Sequence, residues 1–255
     1  MNTLAPPRLY AMSSDGELIE VRPMPHPRSR RLRLTVSSGG ARLSYPPGTR
    51  AADLQGFLAA HVDWLQAKLQ ELQLSAGAVA DWQPGVPAEI LLRGRNVPLL
   101  WESSAFPRVE RREDCLWLGL PERQVQPRRV VRGLLASFFE AQLRRDVARD
   151  LGFYTARLGR APSALQVRRL KSLWGSLDTR DRVNLDLSLA MAPTEALRYV
   201  LVHELCHLRV RNHSPRFWAE VGALLPQWRE QRQWLRQHGA RLKAEMERWV
   251  AVPSP

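Results

Sequence analysis

His203 and His207 stand four residues apart around Glu204, Leu205 and Cys206, and His213 follows six residues further on. This arrangement constrains the fold more than any other stretch of the chain. Residues at i and i+4 share one helix face, with Cβ atoms roughly 5–6 Å apart. Two imidazole nitrogens can then converge on one ion at about 2.0–2.1 Å each, the distance zinc takes from histidine. Glu204 projects beside that face, placed to hold a water rather than the metal. The pattern predicts that residues 194–202 and the pentad form one helix. Pro193 near the first turn and Glu195 at the positive end of the dipole favour that start. Leu197, Val200, Leu201, Leu205 and Leu208 keep the helical period and would anchor the pentad against a core. Ser214-Pro215 is a second helix-start signal. The chain should therefore leave the first helix near Arg209, turn through Asn212 and present His213 back to the metal.

The stretch 199–218, YVLVHELCHLRVRNHSPRFW, resembles the YgjP-like minimal zinc metallopeptidases, relatives of the SprT-like proteases. Arg169-Leu170-Lys171-Ser172-Leu173-Trp174-Gly175-Ser176 is similar to that family's Lys-(Ser/Thr)-x-Trp-Gly-Ser segment, and Val183-Asn184-Leu185 to its following strand. Residues 28–47 and the helix after them are similar too, so the likeness runs from about residue 26 to 238. Leu177 stands where the family usually has Cys; that Cys is not a metal ligand in the resemblance, so the departure touches a local turn. The resemblance implies an α+β fold with a zincin-like core of active-site helix, short antiparallel sheet and C-terminal helices. A β-rich N-terminal part with one helix would precede it. It further implies hydrolysis of peptide or protein substrates, with Zn2+ held by His203, His207 and His213 and Glu204 as catalytic base.

The chemistry expected of such a site follows from its parts. Three neutral His ligands leave one zinc position open for water. The metal brings the water's pKa toward about 7 and polarises a carbonyl. Glu204 accepts the proton and returns it to the leaving amine. A substrate strand is expected along the edge of a 182–189 hairpin. Tyr199, Trp174 and Arg216 are candidate oxyanion donors, and Glu220 and Asn184 candidate partners that orient the imidazoles.

The formal charge of +13 comes mostly from arginine, since only Lys68, Lys171 and Lys243 are lysines. Clusters fall at Arg28, Arg30, Arg31 and Arg33, at Arg128, Arg129 and Arg132, and at Arg168, Arg169 and Lys171. Acidic and apolar neighbours interrupt them, and no nucleic-acid fold signature accompanies them, so a solvated basic face is the simpler reading. The alternative is a nucleic-acid-associated protease or binding module in which zinc is a structural staple. Two cysteines, Cys115 and Cys206, cannot build an additional four-Cys zinc ribbon and suggest no disulfide scaffold, which favours a cytoplasmic setting. Cys206 reads as a small packing residue. No apolar run approaches the roughly 18 residues of a membrane span, and residues 1–15 lack a secretory pattern.

A chain of 255 residues suits one compact unit or two closely packed halves. The expected division is a β-rich part over 1–120, a zincin-like catalytic part over 121–250 and a tail over 251–255. Strands are expected at 9–10, 17–21, 32–36, 42–45, 89–93, 97–101 and 116–118. A helix from Thr49 carries Leu54, Leu58, Leu65, Leu69 and Leu72 in one stripe, with His61 on it as a packed core histidine. A second helix over 130–151 carries Leu135, Phe138, Leu143, Val147 and Leu151, with Gly152 as its stop. Strands at 164–170 and 182–189 follow, joined through a turn or hairpin over 174–181. In the latter strand Val183, Leu185, Leu187 and Leu189 alternate with Asn184, Asp186 and Ser188. Helices over 215–225 and 227–250 close the chain, and no internal repeat is visible.

Overall fold

The computed structural model describes residues 8–13, 16, 18–37, 40–77 and 82–251. Glu17 of the expected second strand, the side chain of Leu72 and tail residues 252–255 lie outside that description. The chain divides into two compact units between Ala80 and Asp81. The sequence suggested a division near residue 120. The difference arises because the strands over 88–120 share a core with the C-terminal helices rather than with the first helix.

In the first unit, β1 (Leu9–Met12), β2 (Leu18–Pro25), β3 (Arg33–Ser37) and β4 (Gly40–Tyr45) form one sheet in the order β1-β2-β4-β3. The central pair is parallel and the outer pairs antiparallel. Alternation turns Ile19, Val21, Ala41 and Leu43 inward, where Leu54, Leu58 and Leu65 complete the core. Those leucines come from two helices, α1 (Ala51–Ala60) and α2 (Val62–Gly77), not one. The break falls at His61, whose backbone leaves helical values at φ −124°, ψ 14°. His61 is therefore exposed rather than packed in the core, its ring stacked on Phe57 at 4.1 Å.

The second unit opens with β5 (Ala88–Leu92), β6 (Arg95–Ser103), β7 (Arg108–Arg112) and β8 (Cys115–Leu120), in the order β5-β6-β8-β7. Again the central pair is parallel and the outer pairs antiparallel. The two sheets thus share one connectivity. The pairings Arg33↔Ser44 and Leu34↔Leu43 recur at a constant offset as Arg108↔Gly119 and Val109↔Leu118. A structural repeat exists where sequence inspection finds none, because only Arg33/Arg108, Leu43/Leu118 and Pro46/Pro121 coincide across that stretch.

The long helix α3 (Pro127–Leu158) runs through Gly152, the expected stop, and ends at Gly159 with φ 63°. Tyr154 and Leu158 continue the buried stripe of Leu143 and Val147, so packing overrides the single glycine. The Arg93-Gly94 turn between β5 and β6 has positive φ at both residues, as a two-residue hairpin requires. Its N–H groups donate to Ala190 and Met191 carbonyls at 3.1 and 2.7 Å, and Arg93 clasps the buried Asp146 of α3.

A smaller sheet follows, with β9 (Ala164–Arg168), β10 (Gly175–Leu177) and β11 (Arg182–Asp186) in the order β10-β11-β9. β11 is antiparallel to β10 and parallel to β9. The strand expected to reach residue 189 stops at Asp186, whose carboxylate accepts the Ser188 N–H at 3.0 Å and starts a 3-10 turn, Leu187–Ala190. Leu187, Ser188 and Leu189 are consequently all buried instead of alternating. β9 stops before residue 170 because the Leu170 N–H donates to Asp186 at 2.6 Å rather than to a strand. The segment expected as a turn or hairpin over 174–181 forms the hairpin, contributing β10, which pairs with β11.

Three helices complete the unit: α4 (Thr194–Cys206), α5 (Pro215–Leu224) and α6 (Trp228–Val250). Phe139, Leu201, Leu205, Phe217 and Trp249 lie in one core with the β5–β8 sheet. The architecture is α+β with small sheets and C-terminal helices, as expected. Among the described residues no helix is long and apolar enough to cross a membrane.

Candidate metal centre

α4 begins after Pro193 and carries Glu195 in its first turn. Leu197, Val200, Leu201 and Leu205 are buried, so one face is fixed against the core and the orientation of the pentad follows. The helix ends at Cys206, His207 holding helical dihedrals as its cap. Arg209 and Val210 N–H groups both donate to the Cys206 carbonyl at 3.0 Å. This tight close turns the Val210 carbonyl back onto His207 Nδ1 at 2.9 Å. A carbonyl only accepts, so Nδ1 carries the proton and Nε2 keeps its lone pair. The chain then reverses, Ser214 N–H bonding to Asn212 Oδ1 at 3.2 Å, and α5 starts at Pro215.

These turns bring His213 beside the other two. Its Nε2 lies 3.0 Å from His203 Nε2, and one nitrogen from each of the three rings falls within 4.8 Å of the others. Two nitrogens each about 2.0–2.1 Å from a tetrahedral ion would be roughly 3.3 Å apart, close to that separation. Three imidazoles also suit zinc as a donor set. Burial, then the neighbouring His207 and His213, depresses the His203 pKa to about 3. Burial lowers His207 as well. Both are thus held neutral, the state a metal requires. The donors fit a metal ion.

Glu204 lies one residue from His203 and is almost wholly buried. Burial pushes its carboxyl up to about 8, opposed by the Leu177 N–H that it accepts. It sits against β10 so closely that a Cβ on Gly175 would fall 2.7 Å from Glu204 Cγ. Glycine in the Trp-Gly-Ser segment is what lets the carboxyl lie along the strand. Cys206 is buried and unpaired, its thiol pushed up to about 12 by burial, and it is not among the gathered donors.

A cleft of about 430 Å³ opens over these groups. Its walls are lined by residues 173–177, by Tyr199, Val200, His203, Glu204 and His207 of α4 and its cap, and by Arg211 and His213. A larger depression of about 540 Å³ at the start of α3 has neither imidazole nor carboxylate in its lining. Of the candidate oxyanion donors, Tyr199 and Trp174 line the cleft and Arg216 does not; it is exposed at the start of α5. Burial raises the Tyr199 hydroxyl to about 12, so it remains a donor. Neither expected imidazole partner reaches a ring: Glu220 pairs with Arg209 at 3.0 Å, and Asn184 faces Ser176 Oγ at 3.3 Å. The partner of His207 is the Val210 backbone, which no side-chain pattern could reveal.

Sequence reasoning also missed what supports the wall. Lys243 of α6 donates to the Leu170 and Leu173 carbonyls at 2.7 and 3.0 Å and pairs with Asp186 at 2.7 Å. Its ammonium lies 4.7 Å from the Trp174 ring, while a Cβ on Gly239 would meet Trp174 at 2.6 Å. The one available signal was a lysine, one of three in a chain that otherwise uses arginine.

A histidine pair one helical turn apart, a carboxyl between them and a third histidine on the next segment is the arrangement of metallopeptidases. A family model described as YgjP-like, metallopeptidase domain, matches residues 30–238, and the chain belongs to that family. Among solved structures, the metallopeptidase zymogen of Pyrococcus abyssi abylysin is similar at 26% identity and a TM-score of 0.33, over 36% of this chain and 93% of that one. No curated protein matches.

Proposed function

We propose that the protein is a zinc-dependent peptidase in which His203, His207 and His213 hold the ion and Glu204 is the general base. The observation that carries this reading is the convergence of three imidazole nitrogens within 4.8 Å beside a buried carboxyl. Zinc bound there supplies a Lewis acid that polarises a carbonyl and acidifies water. Glu204 takes a proton at its carboxylate and passes it to the leaving amine. The Tyr199 hydroxyl, still protonated, donates to the developing oxyanion.

The substrate strand binds along β10. β11 is covered on both sides by β10 and β9, so the edge of that hairpin available to a substrate is Gly175–Leu177, which borders the cleft. A peptide there is held by backbone hydrogen bonds with its scissile carbonyl toward the imidazoles.

The alternative of a nucleic-acid module gains no support from the clusters in the second unit. Arg128 donates to the Trp82 carbonyl at 3.0 Å and Arg132 covers the Trp82 ring, while Arg169 pairs with Glu247 at 2.7 Å. Both cysteines are unpaired thiols, which fits the cytoplasm.

Metal analysis combined with two variants tests the proposal. The wild type should carry one zinc and cleave casein-derived peptides. Glu204→Gln should keep the zinc and lose turnover by at least about a thousandfold. His213→Ala should lose the zinc. Full turnover in Glu204→Gln, or an undiminished metal content in His213→Ala, would refute the assignment.

A further inference from the structure

Arg229, Arg232 and Arg236 occupy positions i, i+3 and i+7 of α6 and so share a face. Several arginines of this unit meet carboxylates, as Arg93 meets Asp146, Arg112 meets Glu102 and Arg198 meets Asp150. Among the described residues no carboxylate pairs with these three. Together with Trp228, Gln233 and Gln237 they line a depression of about 460 Å³.

This depression is joined to the metal centre through aromatic rings. The Arg232 guanidinium lies 4.8 Å from the Trp218 ring and 6.0 Å from that of Trp228, and Arg229 lies 4.5 Å from Trp228. Trp218 stacks on His213 at 5.7 Å and stands 5.6 Å from His203. One indole therefore separates Arg232 from two of the gathered imidazoles.

A stacked guanidinium has a face covered and its N–H edge free, the edge that matches a carboxylate with two parallel bonds. Stacking also fixes the side chain before a ligand arrives, so less freedom is lost on binding. Nucleobases would need an open aromatic face to stack on. Trp228 offers none: it is buried, with Trp218 stacked on it at 4.4 Å and both guanidinia over its ring. The free edges suit an oxyanion held by two parallel bonds, and in a peptide substrate that oxyanion is a side-chain carboxylate.

We propose that Arg232, with Arg229 and Arg236 beside it, is a specificity subsite that binds acidic side chains of the peptide substrate. It deepens the peptidase reading and rests on it for its role. Arg232 and Arg236 are separated by about 6 Å along the helix axis. Carboxylates on alternate residues of an extended peptide are roughly 6.6–6.8 Å apart, so a Glu-x-Glu pattern suits the row.

The test separates binding from turnover. Full-length, zinc-loaded Glu204→Gln is titrated with a Glu-x-Glu peptide and its Gln-x-Gln counterpart, followed by tryptophan fluorescence and calorimetry. The acidic peptide should bind about tenfold more tightly, with the difference shrinking as salt rises. Adding Arg232→Gln should reduce the difference to within about twofold, and Arg232→Glu should turn the preference toward a Lys-x-Lys peptide. Equal affinities for the two peptides, a preference that survives Arg232→Gln, or tighter Arg232-dependent binding of a single-stranded oligonucleotide would each overturn the subsite. A preference that behaves as expected while the wild type cleaves no peptide leaves the acidic subsite standing and removes the peptidase reading instead.

Discussion

The Glu204 carboxyl lies against the Gly175 backbone, and a methyl group there would come within 2.8 Å of Oε1 as well as 2.7 Å of Cγ. Neither partner yields cheaply, because β10 is hydrogen-bonded to β11 and Glu204 is held inside α4. Gly175→Ala should therefore displace the carboxyl. Overpacking of this kind costs about 1–3 kcal/mol, and a shift of a catalytic group by an ångström can cost about a hundredfold in rate. The expected variant folds, keeps its zinc and has kcat/KM reduced about a hundredfold; wild-type kinetics would show that the contact does not position Glu204. The histidine convergence was legible in the sequence because helical spacing and a nearby helix start are local facts. The groups that hold it were not. Val210 acts through its carbonyl and Leu177 through its N–H, and backbone groups leave no mark in a sequence. Glu220 and Asn184 were chosen for their chemistry, yet the fold assigns them to Arg209 and Ser176.

At the level of elements, the wall of the cleft is a loop and a three-residue strand fastened by Asp186 and Lys243. Asp186 accepts the Leu170 and Ser188 N–H groups at 2.6 and 3.0 Å and pairs with Lys243 at 2.7 Å. Asp186→Ala would leave the Lys243 ammonium, which burial already disfavours, with carbonyl partners but no countercharge. Losing one partner of a buried pair costs about 3–5 kcal/mol. The lower figure applies because the Lys243 side chain retains 26% exposure. At roughly 2–4 °C per kcal/mol for a unit of this size, the melting temperature should fall by roughly 6–12 °C. Asp186→Ala with Lys243→Met should recover part of that loss. A single variant that melts with the wild type would remove the clamp from the account. This device also explains a missed element. The 182–189 alternation was real in the sequence, but Asp186 occupied a polar position that the fold buries, and its capping bond ended the strand. The passage of α3 through Gly152 has the same origin: tertiary packing decided where the local signal was ambiguous.

At the scale of the whole molecule, one connectivity serves two surroundings. In the first unit it closes a small core over α1 and α2, whose largest buried side chains are leucines. In the second the equivalent sheet meets α3, and its Arg93-Gly94 turn docks on the segment that opens α4, with Pro193 2.8 Å from where a Gly94 Cβ would stand. The second sheet is thus part of the support for the candidate metal centre, although its connectivity is that of the first. The core containing Trp82, Phe139, Phe217 and Trp249 lies entirely within the second unit, as do the three imidazoles, Glu204 and Arg232. A fragment spanning residues 82–251 should therefore fold cooperatively and bind one zinc. Ligand binding to the native state alone stabilises by about 2.7 kcal/mol when free metal is a hundred times its Kd. For this fragment that corresponds to a rise of roughly 5–10 °C in melting temperature, and the same rise should appear in the corresponding transition of the full chain. The His213→Ala fragment should melt at a temperature that zinc does not change. A fragment that fails to melt cooperatively would place part of its stability in the first unit; one that folds but shows no zinc-dependent shift would separate the fold from the metal chemistry assigned to it.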